Sequence, residues 1–142
     1  MTVIKSIAVA AFAALFATTA SAATIYKDPR CGCCTAYGEY VREMGYDIVV
    51  EDSFDVVSMS VEAGIPADLQ GCHLMMIEGY AVSGHVPAEA IERLLAEKPD
   101  IDGITLPGMP MGSPGMGGTQ DAPFEIKAVS GEGNTVSVFM RL

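Results

Sequence analysis

Short apolar or β-branched runs alternate with helical stretches between Thr24 and Glu97, and this alternation limits the fold more than any other feature of the chain. Thr24-Ile25-Tyr26 reads as a strand, and Cys31-Gly32-Cys33-Cys34 opens a helical stretch that runs to Met44 and ends at Gly45. Tyr46 to Glu51, with Ile48, Val49 and Val50 at its centre, is a second strand. Ser53 then offers an N-cap for a helix to about Ala63, broken by Gly64-Ile65-Pro66. His73 to Glu78 is an apolar strand whose hairpin partner is Tyr80 to Ser83, turned at Gly79-Tyr80. Pro87 suits the first turn of a last helix, in which Ile91, Leu94 and Leu95 share a face and which stops before Pro99.

The order is β-α-β-α-β-β-α, an α/β arrangement that is thioredoxin-like. A right-handed crossover makes the first two strands parallel, and the later hairpin fills the sheet antiparallel. The end of the first strand, which carries the cysteine triplet, then lies beside the start of the third. Cys72 immediately precedes that third strand, so it is expected to approach the triplet across about forty residues of sequence.

Residues 103–118 hold Pro107, Pro110 and Pro114 among glycines, with Met109, Met111 and Met116, and read as a Met-rich loop or lid. Residues 124–139 read as a terminal β-hairpin, its strands flanking Gly131-Glu132-Gly133-Asn134. No internal repeat of domain length is present, and residues 23–142 are expected to form a single domain.

Residues 1–22 read as a signal peptide: Lys5 supplies a positive charge, Ile7 to Ala17 is apolar, and Ala20-Ser21-Ala22 is a small-x-small cleavage signal. Eleven apolar residues are about half of the roughly 20 that a membrane-spanning helix requires, so no membrane anchor is expected after cleavage near Ala22. The expected location is the periplasm. Eight Lys+Arg stand against 18 Asp+Glu, a net charge of −10 that argues against a nucleic-acid partner. With 50% hydrophobic and 18% charged residues, the chain can bury a core and is not a disordered polymer.

Export decides how Cys31, Cys33, Cys34 and Cys72 are read, because thiols outside the cytosol oxidise unless something holds or uses them. Three cysteines within four positions make poor staples, since closing a very short loop removes little unfolded-state entropy. Cys31 and Cys34 form a C-x-x-C at a strand-to-helix junction, where helix amides favour a thiolate, with Arg30 reinforcing and Asp28 opposing that effect. This is the geometry of a catalytic redox pair. Cys33, a third thiol inside the motif, points instead to metal.

Three or four thiolates with thioethers from Met109, Met111 or Met116 favour copper as Cu(I), with zinc the main competitor and an iron–sulfur cluster disfavoured by the spacing. A Cys3His zinc site would recruit His73 or His85. His73 follows Cys72 directly, so in an extended strand the two side chains would diverge and only a bend would let both ligate. His85, next to Gly84 and Val86-Pro87, suits helix packing, support of another ligand, or ligation itself. The acidic stretches around Glu51 and from Glu89 to Glu97 read as solvated faces.

Together, Tyr26-Lys-Asp-Pro-Arg-Cys31-Gly-Cys33-Cys34, Gly71-Cys72-His73, Gly79-Tyr80, Gly84-His85-Val86-Pro87-Ala88, Pro107-Gly-Met109-Pro110 and Gly112-Ser-Pro-Gly-Met116 resemble the CopG-like copper-resistance proteins, over roughly Thr24 to Gly117. The resemblance implies a thioredoxin-like fold, a copper site lined by Cys31, Cys33, Cys34 and Cys72, and a part in copper tolerance through a change of copper oxidation state between Cu(I) and Cu(II). It also implies copper ions and other exported copper-handling proteins as partners. Two departures stand out: Tyr37 where a Trp is expected, and Gly71 and Leu74 where Ser and Thr are expected. The sequence therefore supports a copper-binding protein, carrier or copper/thiol oxidoreductase. The rival is a protein thiol–disulfide oxidoreductase that uses Cys31 and Cys34 without a physiological metal.

Overall fold

The computed structural model describes residues 22–142, so the expected signal peptide lies outside the described residues except for Ala22, which opens the first strand. The elements follow one another as β1 (Ala22–Lys27), α1 (Gly32–Glu43), β2 (Asp47–Asp52), α2 (Val56–Glu62), β3 (His73–Ile77), β4 (Tyr80–Ser83), α3 (Ala88–Glu97), β5 (Gly103–Thr105), β6 (Glu125–Ser130) and β7 (Thr135–Arg141). A 3-10 turn, Ala67–Leu69, leads into β3. Among the described residues the seven strands form one mixed sheet in the order β2-β1-β3-β4-β5-β6-β7.

β1 runs parallel to β2 and antiparallel to β3, and β3 and β4 form the expected antiparallel hairpin. The period of two along each strand splits the core between the faces. Ile25, Ile48, Met75, Val82 and Ile104 pack with Tyr37 and Val41 of α1 and Ala90, Ile91 and Leu94 of α3. On the other face Val56 of α2 joins Ile65, Leu74, Ala81 and Val129. Each fully buried Ile or Leu contributes about 1.5–3 kcal/mol relative to exposure, so the larger face anchors the sheet.

Three expectations need correction. Ser53 does not cap α2. Its hydroxyl accepts the Asp55 N–H at 3.1 Å, a local turn that delays the helix to Val56. The stretch 103–118 is not all loop, because Gly103–Thr105 forms β5, parallel to β4 and antiparallel to β6. Three residues are too few to display a strand period, and Gly103 is required there because a Cβ would collide with the Ala81 carbonyl. The terminal hairpin extends further than 124–139, to Arg141, with a register shift at Ile126/Lys127, and it continues the main sheet through β5.

Candidate metal centre

The site forms where the C-terminal end of β1 and the N-terminal end of β3 meet, with Lys27 opposite His73 in the register. After β1 the chain turns on the Cys31 N–H bond to the Asp28 carbonyl, 2.9 Å, and α1 begins at Gly32. Cys31 is the N-terminal flanking residue of α1, and Cys33 and Cys34 lie in its first turn. Cys31 and Cys34 are joined as a disulfide, with Cα atoms 5.4 Å apart, whereas Cys33 and Cys72 are free thiols.

Cys72 arrives just ahead of β3, the strand that pairs antiparallel with β1. Its Sγ is 3.4 Å from Cys34 Sγ and 4.0 Å from Cys33 Sγ, and Cys31 Sγ is 3.5 Å from Cys33 Sγ. All four sulfurs lie within 4.8 Å of one another. Cys34 is fully buried and the other three cysteines are partly exposed, so the cluster has a wall on one side and an opening on the other. In the reduced state such a set of soft donors could hold a metal ion.

The expected divergence of Cys72 and His73 does not occur. Cys72 sits in a bend ahead of β3, and its Sγ lies 3.7 Å from His73 Nδ1. Cys72, His73 and His85 form a second group, again with every donor within 4.8 Å of the others.

His85 is buried and held at both nitrogens. Nδ1 lies 2.6 Å from the Pro114 carbonyl and Nε2 lies 3.0 Å from Cys72 Sγ. A carbonyl only accepts, so Nδ1 carries the proton and the Nε2 lone pair of the neutral ring faces Cys72. A backbone carbonyl on the remote nitrogen is the usual support of a metal-ligating imidazole. His73 Nε2 is buried without a hydrogen-bond partner among the described residues, an orphan polar atom beside a soft-donor cluster.

The electrostatics favour the neutral forms of Cys72 and the two histidines. Burial and the adjacent Cys33 push the Cys72 thiol up to about 12. Burial lowers His85, and burial together with His85 lowers His73 to about 3. Arg30 does not point its charge freely at the thiols. Its guanidinium pairs with the Asp28 carboxylate through two 2.9 Å bonds, which together with the Arg30 N–H hold Asp28 down to about 2.

Several residues shape the site without any chemical signature in the sequence. Gly71 and Gly84 immediately precede Cys72 and His85, and a Cβ on Gly71 would collide with the Gly84 backbone. That close approach sets Cys72 against His85 and leaves no room for the serine expected at position 71. Tyr37 is fully buried, donates its hydroxyl to the Val86 carbonyl at 2.8 Å, and places its ring 4.4 Å from that of His73.

The Met-rich segment packs onto α1 at Gly115. A Cβ on Gly115 would lie 3.0 Å from the Cys33 carbonyl and 2.8 Å from Tyr37 N, and the neighbouring Pro114 carbonyl holds His85. Met116, next to this contact, is partly buried. Met109 and Met111 remain about half exposed, at 52% and 53%, and Met111 lies against Gly118.

A family model described as "Protein of unknown function, DUF411" matches residues 69–116, the stretch that carries Cys72, both histidines and the loop. Two solved structures, described as forms 2 and 1 of "Copper resistance protein copG", superpose with TM-scores of 0.79 and 0.78. Each is 32% identical and covers 87% of this chain, which in turn covers 99% and 98% of theirs. Among curated proteins none matches the chain. No helix of the described residues is long and apolar enough to cross a membrane.

Proposed function

The chain belongs to the CopG-like family of copper-resistance proteins, and from that premise we propose that it is exported to the periplasm and binds Cu(I) through Cys31, Cys33, Cys34 and Cys72. The reading is carried by one observation: four sulfurs within 4.8 Å beside an imidazole whose Nε2 lone pair faces one of them, Cys72. Thiolates select Cu(I) over harder ions, and His85 adds a borderline donor that zinc would accept too. His73 is the next candidate ligand, and Met116 is better placed than Met109 or Met111 to cover the ion. The strand order β2-β1-β3-β4, with helices on both faces, supports a thioredoxin-like core for residues 23–142. The small-x-small signal at Ala20-Ser21-Ala22 supports cleavage near Ala22.

Copper is the cargo, and in the redox form of this reading also the substrate. The Cys31 and Cys34 thiols give two electrons to two Cu(II) ions, forming the disulfide, two Cu(I) ions and two protons. Cys33 and Cys72 remain as thiolate ligands for the reduced product, and an external dithiol restores the pair. A second reading, disulfide exchange on protein substrates, is favoured by the Cys31–Cys34 bond at the start of α1 with Cys31 partly exposed.

Anaerobic titration of the reduced mature protein with Cu(I), against a competing chelator and in parallel with Zn(II), separates the two. Copper binding predicts a preference for Cu(I) and lost stoichiometry or at least about tenfold lower affinity in Cys33→Ser and Cys72→Ser. Zinc-preferring or unchanged binding, with full dithiol exchange in both variants, assigns the protein to disulfide chemistry instead.

A further inference from the structure

Beside the cysteine cluster lies an apolar surface that the described residues leave uncovered. Phe54 is 76% exposed, Val57 64% and Val61 53%. Their i, i+3, i+7 spacing lines them along one side of α2 and its approach, while Val56 and Ser60 take the buried side. An aromatic ring and two β-branched side chains grouped in solvent are the mark of an interaction surface.

The patch is joined to the site at Phe54 and at Val57. The Arg30 guanidinium, next to Cys31, stands 6.0 Å from the Phe54 ring centroid, and Ser53 N–H donates to the Lys27 carbonyl at 2.8 Å. Gln70, two residues before Cys72, donates to the Val57 carbonyl at 3.2 Å.

The rim is acidic. Glu51, Asp55 and Glu62 are exposed and take part in no ion pair among the described residues. The two cations nearby are committed, Lys27 to Asp52 and Arg30 to Asp28. We propose that Phe54, Val57 and Val61, with the carboxylates of Glu51, Asp55 and Glu62, form a docking surface for a basic amphipathic segment of a partner protein. Such a segment sets apolar side chains on the patch and Lys or Arg on the rim, and it comes to rest beside Cys31 and Cys72. An anionic membrane is repelled by the same rim and by the net charge of −10.

The test uses the metal-free protein, so it stands or falls apart from the copper reading. A short amphipathic peptide of leucine and lysine is titrated into the 15N-labelled chain, with a serine–lysine peptide of equal charge and a leucine–glutamate peptide as controls. The expected result is amide shifts centred on residues 53–62 for the first peptide alone. Binding should weaken by about tenfold or more in Phe54→Ser and in Val57→Ser, both with unchanged Tm, as befits exposed anchors. Asp55→Asn with Glu62→Gln should weaken it and flatten its salt dependence. Shifts centred elsewhere, or an equal response to the serine–lysine peptide, overturn the proposal. So does concentration-dependent self-association that Phe54→Ser abolishes, which would assign the patch to a second copy of the chain.

Discussion

Cys72 is the residue at which the two halves of the site meet, and its surroundings make metal uptake a competition with a proton. Burial and Cys33 push its thiol up to about 12, so at neutral pH it is protonated. A soft ion that takes this sulfur must expel that proton. Affinity therefore rises with pH, by about tenfold per unit for each proton displaced, from about pH 6 to 8. Chelator-competition titrations across that range, with proton release followed in weak buffer, check both sign and slope. A flat profile would show that Cys72 is not a ligand. The cysteines were legible in the sequence because their crowding is chemically unusual. The packing roles of Gly71 and Gly84 were not, because a glycine that permits one backbone contact looks like any turn glycine until its neighbour is known.

At the scale of elements, the segment between β5 and β6 is a strap that packs on α1 at Gly115 and holds His85 through the neighbouring Pro114 carbonyl. Gly115 has φ +81° and sits where a Cβ would meet the Tyr37 amide and the Cys33 carbonyl. Gly115→Ala is expected to lift the strap, break the Pro114–His85 bond, and cost about 1–3 kcal/mol of stability. Urea denaturation measures the cost, and the 15N shifts of the His85 ring report whether Nδ1 still holds its proton against a carbonyl. Unchanged ring shifts would sink the strap's role. The strands and helices from β1 to α3 were readable from periodicity and from Gly and Pro punctuation, whereas β5 was hidden. It gains its place from ladders on both sides, to β4 and β6, not from its own three residues.

Across the whole molecule, the sheet order couples folding to the site, since β1 and β3 must pair before Cys72 reaches the triplet. A metal that binds only this assembled arrangement stabilises the fold by mass action. With free Cu(I) about a thousandfold above its Kd the gain is about 4 kcal/mol, which for a domain of this size raises Tm by roughly 10–20 °C. Anaerobic thermal melts of the reduced protein with and without Cu(I) test this, and in Cys72→Ser the rise should shrink by about 1.4 kcal/mol for each tenfold of affinity lost. The sequence by itself determined the donor types, the C-x-x-C at a helix start, the β-α-β-α-β-β-α order and hence the approach of Cys72 to the triplet, because periodicity and chain chirality act locally or through few topologies. Only the tertiary structure decided that a bend turns Cys72 and His73 to the same side, that Pro114 fixes the His85 proton, that β5 exists, and that Phe54, Val57 and Val61 stay uncovered. Those outcomes depend on contacts between segments far apart in the chain, and no local pattern of residues encodes a neighbour that folding alone supplies.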